Sequence, residues 1–562
     1  MKKQIFFIAV LASVLVFSSC SRMGELPANL FRTTPSPLEV RGGTIDARVD
    51  GRFPEGFFNR NAVITVTPVL VFEGQEVRGT PRTFQGERVT GNNQVINRRQ
   101  GGAFIIPATF NFVPEMAQSE LFLEFNIEGG RGYIPRVKVA DGVNATSTLA
   151  NAGELAPAIA PDAFQRIIQQ TQEAQILFAI QQSDLRASET RSQAVRDLTA
   201  AVRVAAETEN MEVYNLSIVG AASPDGPFDL NRNLADRRTN VAANFLNQEL
   251  RRQRTPVAIG TDRIYEDWEG FQRLMEESTI RDRDLILRIL AMHTDPVVRE
   301  REIRNMSAAF TEIADEILPQ LRRSRMELTV NIIGRSDEEI TALAASNPSV
   351  LSVEELLYAA TLTDNLNEKA RIYREVIRLF PNDARGYNNL GMVMLQQGNA
   401  AQALNYFQRA ARIDPNNPNV NYNLGLIALM NGETVRAEEF FGRAAGTGAD
   451  LNQALGTLYI KTGEHTRAGT AFAGAASNNA ALTQILNNDY NAARRTLAAV
   501  ANPDGMTAYL QAIVAARTND RDAVYSNLRT AVQRDRELAR RAMTDMEFAR
   551  FRTDQTFLSI VR

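Results

Sequence analysis

The sequence is poor in the residues that most often carry chemistry. Cys20 is its single cysteine, and His293 and His465 are its only histidines, far apart along the chain. One cysteine cannot form a disulfide within the chain or a thiolate-rich metal site. Separated histidines disfavour a zinc site or a histidine-dependent triad. We therefore expect no metal, no cofactor and no catalytic residue.

The chain also lacks an excess of charge of one sign and the motifs of common catalytic sites. It has 62 lysines and arginines against 65 aspartates and glutamates, a formal net charge of −3. Such a balance gives no reason to expect attraction to nucleic acid. A phosphate-binding loop, a nucleophile elbow and a metal-ligand triad are all missing. Asp225 and Asp229 lie in a helix-leading loop, where turn and N-cap roles explain them, and we predict a non-enzyme.

The first 20 residues resemble a bacterial lipoprotein signal. Two lysines follow the initiator methionine, and Ile5–Phe17 is almost continuously apolar but too short for a mature membrane anchor. Cys20 follows small residues at the expected cleavage point. The resemblance implies that residues 1–19 are removed, that Cys20 carries acyl chains such as palmitate, and that residues 20–37 form a tether. An ordinary signal peptide with an incidental cysteine is the alternative.

The residues after Cys20 bear on where the protein resides. Ser21 rather than aspartate follows the cysteine, which in such lipoproteins implies transfer to the outer membrane. Arg22–Glu25 lacks the acidic cluster that resembles a surface-export signal in the Bacteroidota. Each buried acyl CH₂ contributes about 0.8 kcal/mol, so two or three chains attach a protein firmly. We expect a protein held in the cell outer membrane by its lipid and facing the periplasm.

The 562 residues predict about three or four domains, of which the first is rich in β-structure. Between residues 38 and 140, short apolar and β-branched runs alternate with glycine-containing turns, as in Ala62–Phe72, Ala103–Phe112 and Leu121–Ile127. This pattern predicts an antiparallel, immunoglobulin-like β-sandwich, although no cysteine pair supports a true immunoglobulin domain. Residues 141–161, rich in Ala, Gly, Asn and Pro, are predicted as a linker.

Strands and helices alternate in residues 162–340, which predicts an α/β domain with both helices on one face of a sheet. The predicted elements are an apolar strand and turn at Ala174–Leu185, a helix at about 188–208, and strands at Glu212–Val219 and Arg325–Gly334. A charged, largely helical insertion is predicted at residues 256–320.

Ser217–Leu246 reads SIVGAASPDGPFDLNRNLADRRTNVAANFL, a strand, a polar turn and an amphipathic helix. Its helix resembles the C-terminal, peptidoglycan-binding domain of the OmpA family. The matched motif is an Asn, two residues, Leu, a small residue, two residues and Arg, which here are Asn231, Leu234, Ala235 and Arg238. The strand ILFAI with its trailing SDL and the segment SRME are similar to other elements of that domain. The insertion most resembles OmpA-like lipoproteins of the Bacteroidota.

The resemblance implies a site for the peptide stem of peptidoglycan. In the family, an Asp and an Arg hold the ammonium and carboxylate groups of diaminopimelate, and Arg238 takes the arginine position. Ser223 stands at the aspartate position, which removes a charge, and Asp225 is the nearest replacement. The tentative binding residues are Ser223, Asp225, Asn231 and Arg238. Alternatively, Arg238 pairs with a nearby carboxylate and Asn231 hydrogen-bonds the loop.

The second half of the chain, residues 351–562, repeats itself. Gly391, Gly425 and Gly456 each follow a leucine, and each is followed after twelve residues by an alanine and four residues later by a phenylalanine. This is similar to the tetratricopeptide pattern, in which small residues let two helices cross and an aromatic fills the joint. A first repeat is predicted at residues 351–381 and degenerate repeats near the C-terminus.

The resemblance to tetratricopeptide repeats places a concave groove on the first helix of each repeat. We predict a mixed polar and apolar protein-binding surface there. Its candidate residues are Asn388, Met392, Gln396, Tyr422, Leu426, Met430, Gln453, Thr457 and Lys461.

The predicted function is that of a non-enzymatic outer-membrane lipoprotein scaffold. Its repeats are expected to bind a protein partner in an assembly, secretion or transport complex, for example one built around an outer-membrane β-barrel, and its α/β domain to contact peptidoglycan. Several attachments raise the effective concentration of each, so weak contacts suffice. The alternative is a purely structural, envelope-linking lipoprotein without a dedicated partner, whose repeats stack on each other or self-associate.

Overall fold

The computed structural model describes residues 23–280, 282–448 and 450–562, without the side chains of residues 307 and 308. The predicted signal peptide and the acylated Cys20 therefore lie outside the described residues. The chain divides into two compact units, one formed by the residues up to Pro161 with Asp364–Arg562, the other by Asp162–Thr363.

The N-terminal part of the first unit is rich in strands, as predicted. One sheet is built around β3, which pairs with β8 along its length and with β1 and β2 on its other edge. A second sheet is built around β4, which pairs with β9 and with β5 and β6. The strands are β1 Phe31–Thr34, β2 Leu38–Arg41, β3 Thr44–Phe53, β4 Val63–Phe72, β5 Gln75–Arg78, β6 Arg82–Gly86, β7 Gln94–Ile96, β8 Gly102–Asn111, β9 Glu120–Glu128, β10 Val137–Asp141 and β11 Val143–Asn144.

The two sheets face each other across a phenylalanine-rich core. Alternate residues of β8 point inward, as a half-buried antiparallel strand requires. Phe84 of the second sheet contacts Phe53 and Phe104 of the first, with ring centroids 5.7 and 4.9 Å apart. Strand β11, which pairs in parallel with β2, extends the first sheet into the segment that was predicted as a linker.

The second unit begins with an α/β arrangement. Its sheet has the order β12-β15-β13-β14, with β14 parallel to β13 and the other neighbours antiparallel. Helices α2 and α3 share one hydrophobic core with β12, β13 and β15, which puts both on one face of the sheet. These elements are β12 Ile167–Leu177, α1 Ala187–Thr190, α2 Gln193–Glu207, β13 Met211–Ala221, α3 Phe228–Arg252, β14 Gly260–Ile264 and β15 Arg323–Ile333.

The predicted insertion at 256–320 is not helical throughout, because it begins with strand β14. This strand is short and mostly exposed, so it has no hydrophobic alternation that would reveal it in the sequence. The helices that follow pack around Phe271, Met275 and Ile286 into a small core of their own. They are α4 Trp268–Glu277, α5 Arg283–Met292, α6 Pro296–Arg304, α7 Ser307–Glu316 and α8 Leu318–Leu321.

The second unit ends with α9 Asp337–Ser346 and α10 Val353–Ala359. Glu355 of α10 pairs with Arg335 at 2.7 Å, and the Tyr358 hydroxyl donates to Asp337 at 2.9 Å. The unit boundary at Thr363 thus divides the predicted first repeat at 351–381, because α10 packs within the second unit and α11 belongs to the first.

The remainder of the first unit is a stack of helix pairs, and the predicted all-helical repeat region is confirmed. At its first three joints, glycine lets the helices approach: a Cβ added at Gly425 would lie 2.6 Å from the Phe441 ring. The helices are α11 Leu366–Leu379, α12 Ala384–Gln396, α13 Ala400–Ile413, α14 Pro418–Met430, α15 Thr434–Gly442, α16 Leu451–Lys461, α17 His465–Ala471, α18 Asn478–Leu486, α19 Tyr490–Ala498, α20 Gly505–Arg517, α21 Arg521–Arg534, α22 Glu537–Thr544 and α23 Gln555–Val561.

The β-sandwich packs against the C-terminal half of this helical array, here called the solenoid. Gly42 has φ +56°, and a Cβ built on it would lie 2.9 Å from the Thr462 carbonyl oxygen. Near the C-terminal end of the solenoid, the Asn144 amide donates to the Glu547 carboxylate at 3.0 Å. Sandwich and solenoid are therefore parts of one packed body. None of the helices in the described part of the chain is long and apolar enough to cross a membrane.

Candidate functional site

The first candidate site is the loop between β13 and α3, where the resemblance placed a peptide-stem clamp. Gly220 at the end of β13 lies directly against α3: an added Cβ would be 2.7 Å from the Ala235 carbonyl oxygen and even closer to the Thr239 hydroxyl. Only glycine permits this approach. It brings the start of α3, with Asn231 and Arg238, beneath the loop.

Arg238 is buried, with a relative exposure of 1%. Its guanidinium donates to three backbone carbonyls, those of Ala221 at 2.9 Å, Gln182 at 3.1 Å and Ala179 at 3.5 Å. It also lies over the Phe178 ring, 5.3 Å from the centroid. Burial, with a smaller effect of Arg322, lowers the pKa of Arg238 to about 10. The side chain therefore stays charged at neutral pH.

A second arginine, which the sequence reasoning missed, completes this site. Arg322 is 8% exposed and its Nε donates to the Ser223 hydroxyl at 3.4 Å. Its Nη2 lies 3.5 Å from the Asp225 carboxylate. Two guanidinium groups thus share one nearby carboxylate, and the site has a net positive charge. The position at which the family carries an aspartate has a serine that accepts a hydrogen bond from a cation.

The candidate residues of the clamp do come together, but each already has a partner within the chain. Asn231 is 4% exposed and its amide donates to the Gly226 carbonyl at 2.9 Å, as the structural alternative predicted. Arg238, in contrast, does not follow that alternative: its recorded hydrogen bonds go to carbonyls, and the carboxylate of Asp225 pairs with Arg322. Arg322 and Arg323 stand side by side where β15 begins, and this pair of arginines is the sequence signal that could have revealed Arg322.

The second candidate site is the concave groove of the solenoid, and residues 149–161 of the same chain lie in it. This segment was predicted as part of a linker. Its Ala152 and Ala158 share a core with Tyr422 and Leu426, two of the predicted groove residues. Burial raises the pKa of the Tyr422 hydroxyl to about 12. The groove surface expected to face a partner is covered here by the chain itself.

Asparagine side chains hold the segment through its backbone. Asn423 accepts from the Ala158 amide at 2.7 Å and donates to the Ala158 carbonyl at 2.7 Å. Asn389 makes the same pair with Ala160, at 2.8 and 2.9 Å. Asn479 makes it with Asn151, at 3.0 and 2.8 Å. We call these three residues the asparagine ladder, since their amides copy the pairing of one β-strand with another.

The other predicted groove residues have varied environments. Asn388 donates to the Ala158 carbonyl at 3.1 Å, and Thr457 accepts from Asn479 at 3.1 Å, so both support the ladder. Burial lowers the pKa of Lys461. Four more residues complete the predicted groove set: Met392 is buried, Gln453 is half-buried, and Gln396 and Met430 are exposed.

The ladder has a gap at α16. Asn389 and Asn423 stand two residues before Gly391 and Gly425, whereas Ala454 stands two residues before Gly456. Ala454 packs in the same core as Ala152 and Ala158. A cavity of about 380 Å³ lies beside the segment near the start of α16, lined by Leu155, Pro157, Tyr422, Asp450 and Gln453 among others. The asparagine before the repeat glycine was the sequence signal that could have identified the ladder.

The chemistry of both sites is that of binding. Across the described residues, no group of three or more histidine, cysteine, aspartate or glutamate side chains is placed to hold a metal ion. The ladder is neutral, and the loop site consists of arginines with one carboxylate. Neither contains a nucleophile beside a general base.

Comparison with known families supports the repeats. Two family models described as tetratricopeptide repeat match residues 394–459 and 368–418. The chain therefore contains tetratricopeptide repeats, which form a protein-interaction scaffold. No relative among the curated proteins matches this sequence.

Solved structures similar to the chain have low sequence identity to it. The Cut9–Hcn1 hetero-tetramer of the APC/C is 15% identical, with a TM-score of 0.31 over 36% of this chain and 43% of that one. Pseudomonas aeruginosa PilF is 15% identical, with a TM-score of 0.29 over 39% and 100%. PilW, a type IV pilus biogenesis factor, is 13% identical, with a TM-score of 0.28 over 40% and 98%. This chain spans less than half of the first of these.

Proposed function

We propose that this protein is a non-enzymatic scaffold, lipid-anchored in the outer membrane and facing the periplasm, whose repeats bind a protein of an assembly, secretion or transport complex. The observation that carries the proposal is the tetratricopeptide array with its glycine–phenylalanine joints, since such arrays present long, shape-specific contact surfaces. Packing of the β-sandwich against the array widens that surface.

The part of the solenoid best placed to meet a partner lies beyond the groove surface that residues 149–161 cover, at the turn next to Met430, a predicted groove residue that stays exposed. Met430 and Val435 flank the turn between α14 and α15 and are 40% and 70% exposed. Large apolar side chains exposed together at a helix turn favour a contact site. We expect in-cell cross-linking of the full chain to trap one protein in stoichiometric amount, and Met430→Glu with Val435→Glu to lose it.

The matched control is Val95→Glu on the sandwich, where Val95 is 54% exposed. It adds a charge at an exposed apolar position distant in sequence from the solenoid, and should keep the trapped protein. Recovery of the wild-type chain without any cross-linked partner would contradict the proposal. Retention of the partner by the double variant would move the contact elsewhere.

The anchor is tested at the N-terminus of the mature chain. The proposal requires Cys20 to carry acyl chains and Cys20→Ser to leave the membrane fraction. Mass spectrometry of the mature N-terminus, with fractionation of both chains, measures this. An unacylated first residue on a protein free in the periplasm would rule the anchor out.

Contact with peptidoglycan is proposed for the loop site. Support comes from its charge: Arg238 and Arg322 outweigh Asp225, so a carboxylate of the peptide stem would find unsatisfied positive charge. The loss of the family's aspartate predicts that the carboxylate, rather than the ammonium group, contributes most of the attraction.

Sacculus pull-down tests this contact. Arg322→Gln should lower retention about tenfold, because a charged hydrogen bond of 1.5–3 kcal/mol is replaced by a neutral one. Arg252→Gln on the exposed end of α3 is the control, with a side chain 71% exposed. Equal retention of wild type, Arg322→Gln and Arg252→Gln would exclude a role for the loop.

The occupied groove favours a second candidate function, a purely structural envelope-linking lipoprotein without a dedicated partner. In that case the repeats serve to bind residues 149–161 and to hold the sandwich. The same cross-linking survey separates the two functions: this one predicts that the chain is recovered alone or only with copies of itself.

A further inference from the structure

The concave groove holds a segment of chain by its backbone alone. Each ladder asparagine accepts one N–H and donates to one C=O of the same residue, at Asn151, Ala158 and Ala160. Such contacts do not depend on the side chain that the segment carries. Asn389 and Asn423 are 1% and 0% exposed, and Asn388 joins them, donating to the Asn389 oxygen and accepting from the Asn423 amide.

Selectivity arises from size and charge. Ala152, Ala158 and Ala160 are 4%, 2% and 2% exposed and pack directly on the helices, leaving no room for larger side chains. Glu154 is the only charged residue between residues 149 and 161. The groove therefore fits a nearly neutral segment that has alanine at the paired positions 158 and 160 and at the buried position 152, and that is extended apart from the 3₁₀ turn at Ala152–Glu154.

The segment is fastened firmly at one end. Upstream of it, the Ser147 hydroxyl donates to the Val40 carbonyl at 2.8 Å, which ties it to the first sheet of the sandwich. Its middle lacks a ladder pair, because α16 has Ala454 where a ladder asparagine would stand, and residues 154–159 border a cavity of about 380 Å³. A segment with two paired ends and an unpaired middle can be replaced stepwise by another chain.

We infer that the groove is a peptide-binding site that reads backbone and small side chains, that residues 151–160 are its resident ligand, and that an alanine-rich extended segment of another protein binds there only in exchange for them. This goes beyond the proposed function, which does not depend on the groove. It assigns the site, the class of ligand and the reason why the site is closed in the isolated chain.

The experiment measures binding of a labelled peptide, residues 149–162, to the full chain by fluorescence anisotropy. In one variant, residues 151–160 are replaced by ten glycines and serines, which empties the groove without changing chain length. This variant should bind one peptide per chain, and wild type should bind at least about tenfold more weakly because its own segment competes at high effective concentration.

Two controls test the chemistry of binding. A peptide of the same composition in scrambled order should not bind, because alanine no longer meets the ladder. Adding Asn389→Ala and Asn423→Ala to the emptied chain should weaken binding by about tenfold or more, since four hydrogen bonds are lost. Equal binding to wild type and emptied chain, or equal binding of the scrambled peptide, would overturn the inference.

A separate measurement applies if the emptied chain does not fold. Asn389→Ala with Asn423→Ala in the otherwise native chain should speed hydrogen exchange of the amides of Ala158 and Ala160 about tenfold or more, and leave helix α20 unchanged. Unchanged exchange at both amides would overturn the inference. None of these results depends on a membrane or a cellular partner, so they are independent of the proposed function.

Discussion

The groove of the solenoid and the loop of the α/β domain were both predicted to face ligands, and in both the polar side chains bind backbone of their own chain. They differ in charge. The ladder asparagines are neutral, and each pairs one donor and one acceptor with the backbone and makes a further hydrogen bond to a neighbouring groove side chain. Arg238 and Arg322 satisfy their hydrogen bonds but share one carboxylate, Asp225. A neutral amide site can be closed by its own chain, whereas a cationic site keeps its attraction for an anion.

The largest expected effect is the loss of stability when the Arg238 guanidinium is removed from the loop site. Arg238→Met removes a buried guanidinium that donates to three backbone carbonyls, and we expect the second unit to lose about 3–5 kcal/mol of its free energy of unfolding. Trp268, the single tryptophan of the chain, lies in that unit, and its fluorescence in urea measures the change.

Arg252→Gln is the control for this substitution, since its side chain is 71% exposed and should change stability by less than about 0.5 kcal/mol. If Arg238→Met were as mild as Arg252→Gln, the guanidinium would not hold the loop. The same large loss explains why Arg322, rather than Arg238, is the better variant for measuring peptidoglycan binding.

The next largest effect concerns the contribution of the asparagine ladder to stability. Asn389→Ala with Asn423→Ala removes the partners of the Ala158 and Ala160 amides and of the Ala160 carbonyl, and leaves the Ala158 carbonyl only Asn388, so it should cost the first unit about 2–4 kcal/mol. Far-UV circular dichroism follows the solenoid helices, and the Trp268 transition should not move. Asn405→Ala on exposed α13 is the matched control. A double variant that behaves like the control would show that the ladder contributes nothing to stability.

The smallest effect is a pH dependence that belongs to the first unit. His465 is 7% exposed, and burial, with a smaller effect of Arg41, lowers its pKa from 6.5. A lowered pKa in the folded state stabilises the fold above pH 6.5, and this stability is lost as pH falls through the folded-state pKa. His465→Gln should flatten the decline of thermal stability below pH 6.5. An identical decline in both chains would remove His465 as its source.

Local sequence predicted the elements whose pattern is local. Strand β8 was expected at Ala103–Phe112 and lies at Gly102–Asn111, because its alternation is regular. The repeat glycines were predicted to leave room for an aromatic ring. In the structure, a Cβ added at Gly425 would lie only 2.6 Å from the Phe441 ring, so glycine is needed there. Peptidoglycan binding, the lipid at Cys20 and membership of the OmpA family stay predictions.

Other features depend on partners far away in sequence. Residues 151–160 have no hydrophobic period, and their conformation is set by Asn389, Asn423 and Asn479, more than two hundred residues downstream. Strand β14 is exposed and short, and exists because β13 offers it a free edge. In the sequence, Arg322 is one charged residue among several, and only the fold places it beside Ser223. The composition of residues 141–161 predicted a linker, but hydrogen bonds to the solenoid hold residues 151–160 in the groove.

Hydrogen exchange of the wild-type full chain, resolved to single amides, tests the central claim most directly. If the groove is filled by its own chain, the amides of Asn151, Ala158 and Ala160 exchange as slowly as those of the solenoid helices, at least about a hundredfold slower than the exposed Tyr133 loop. Exchange of these three amides at the rate of that loop would show that residues 151–160 do not occupy the groove, and would contradict the account.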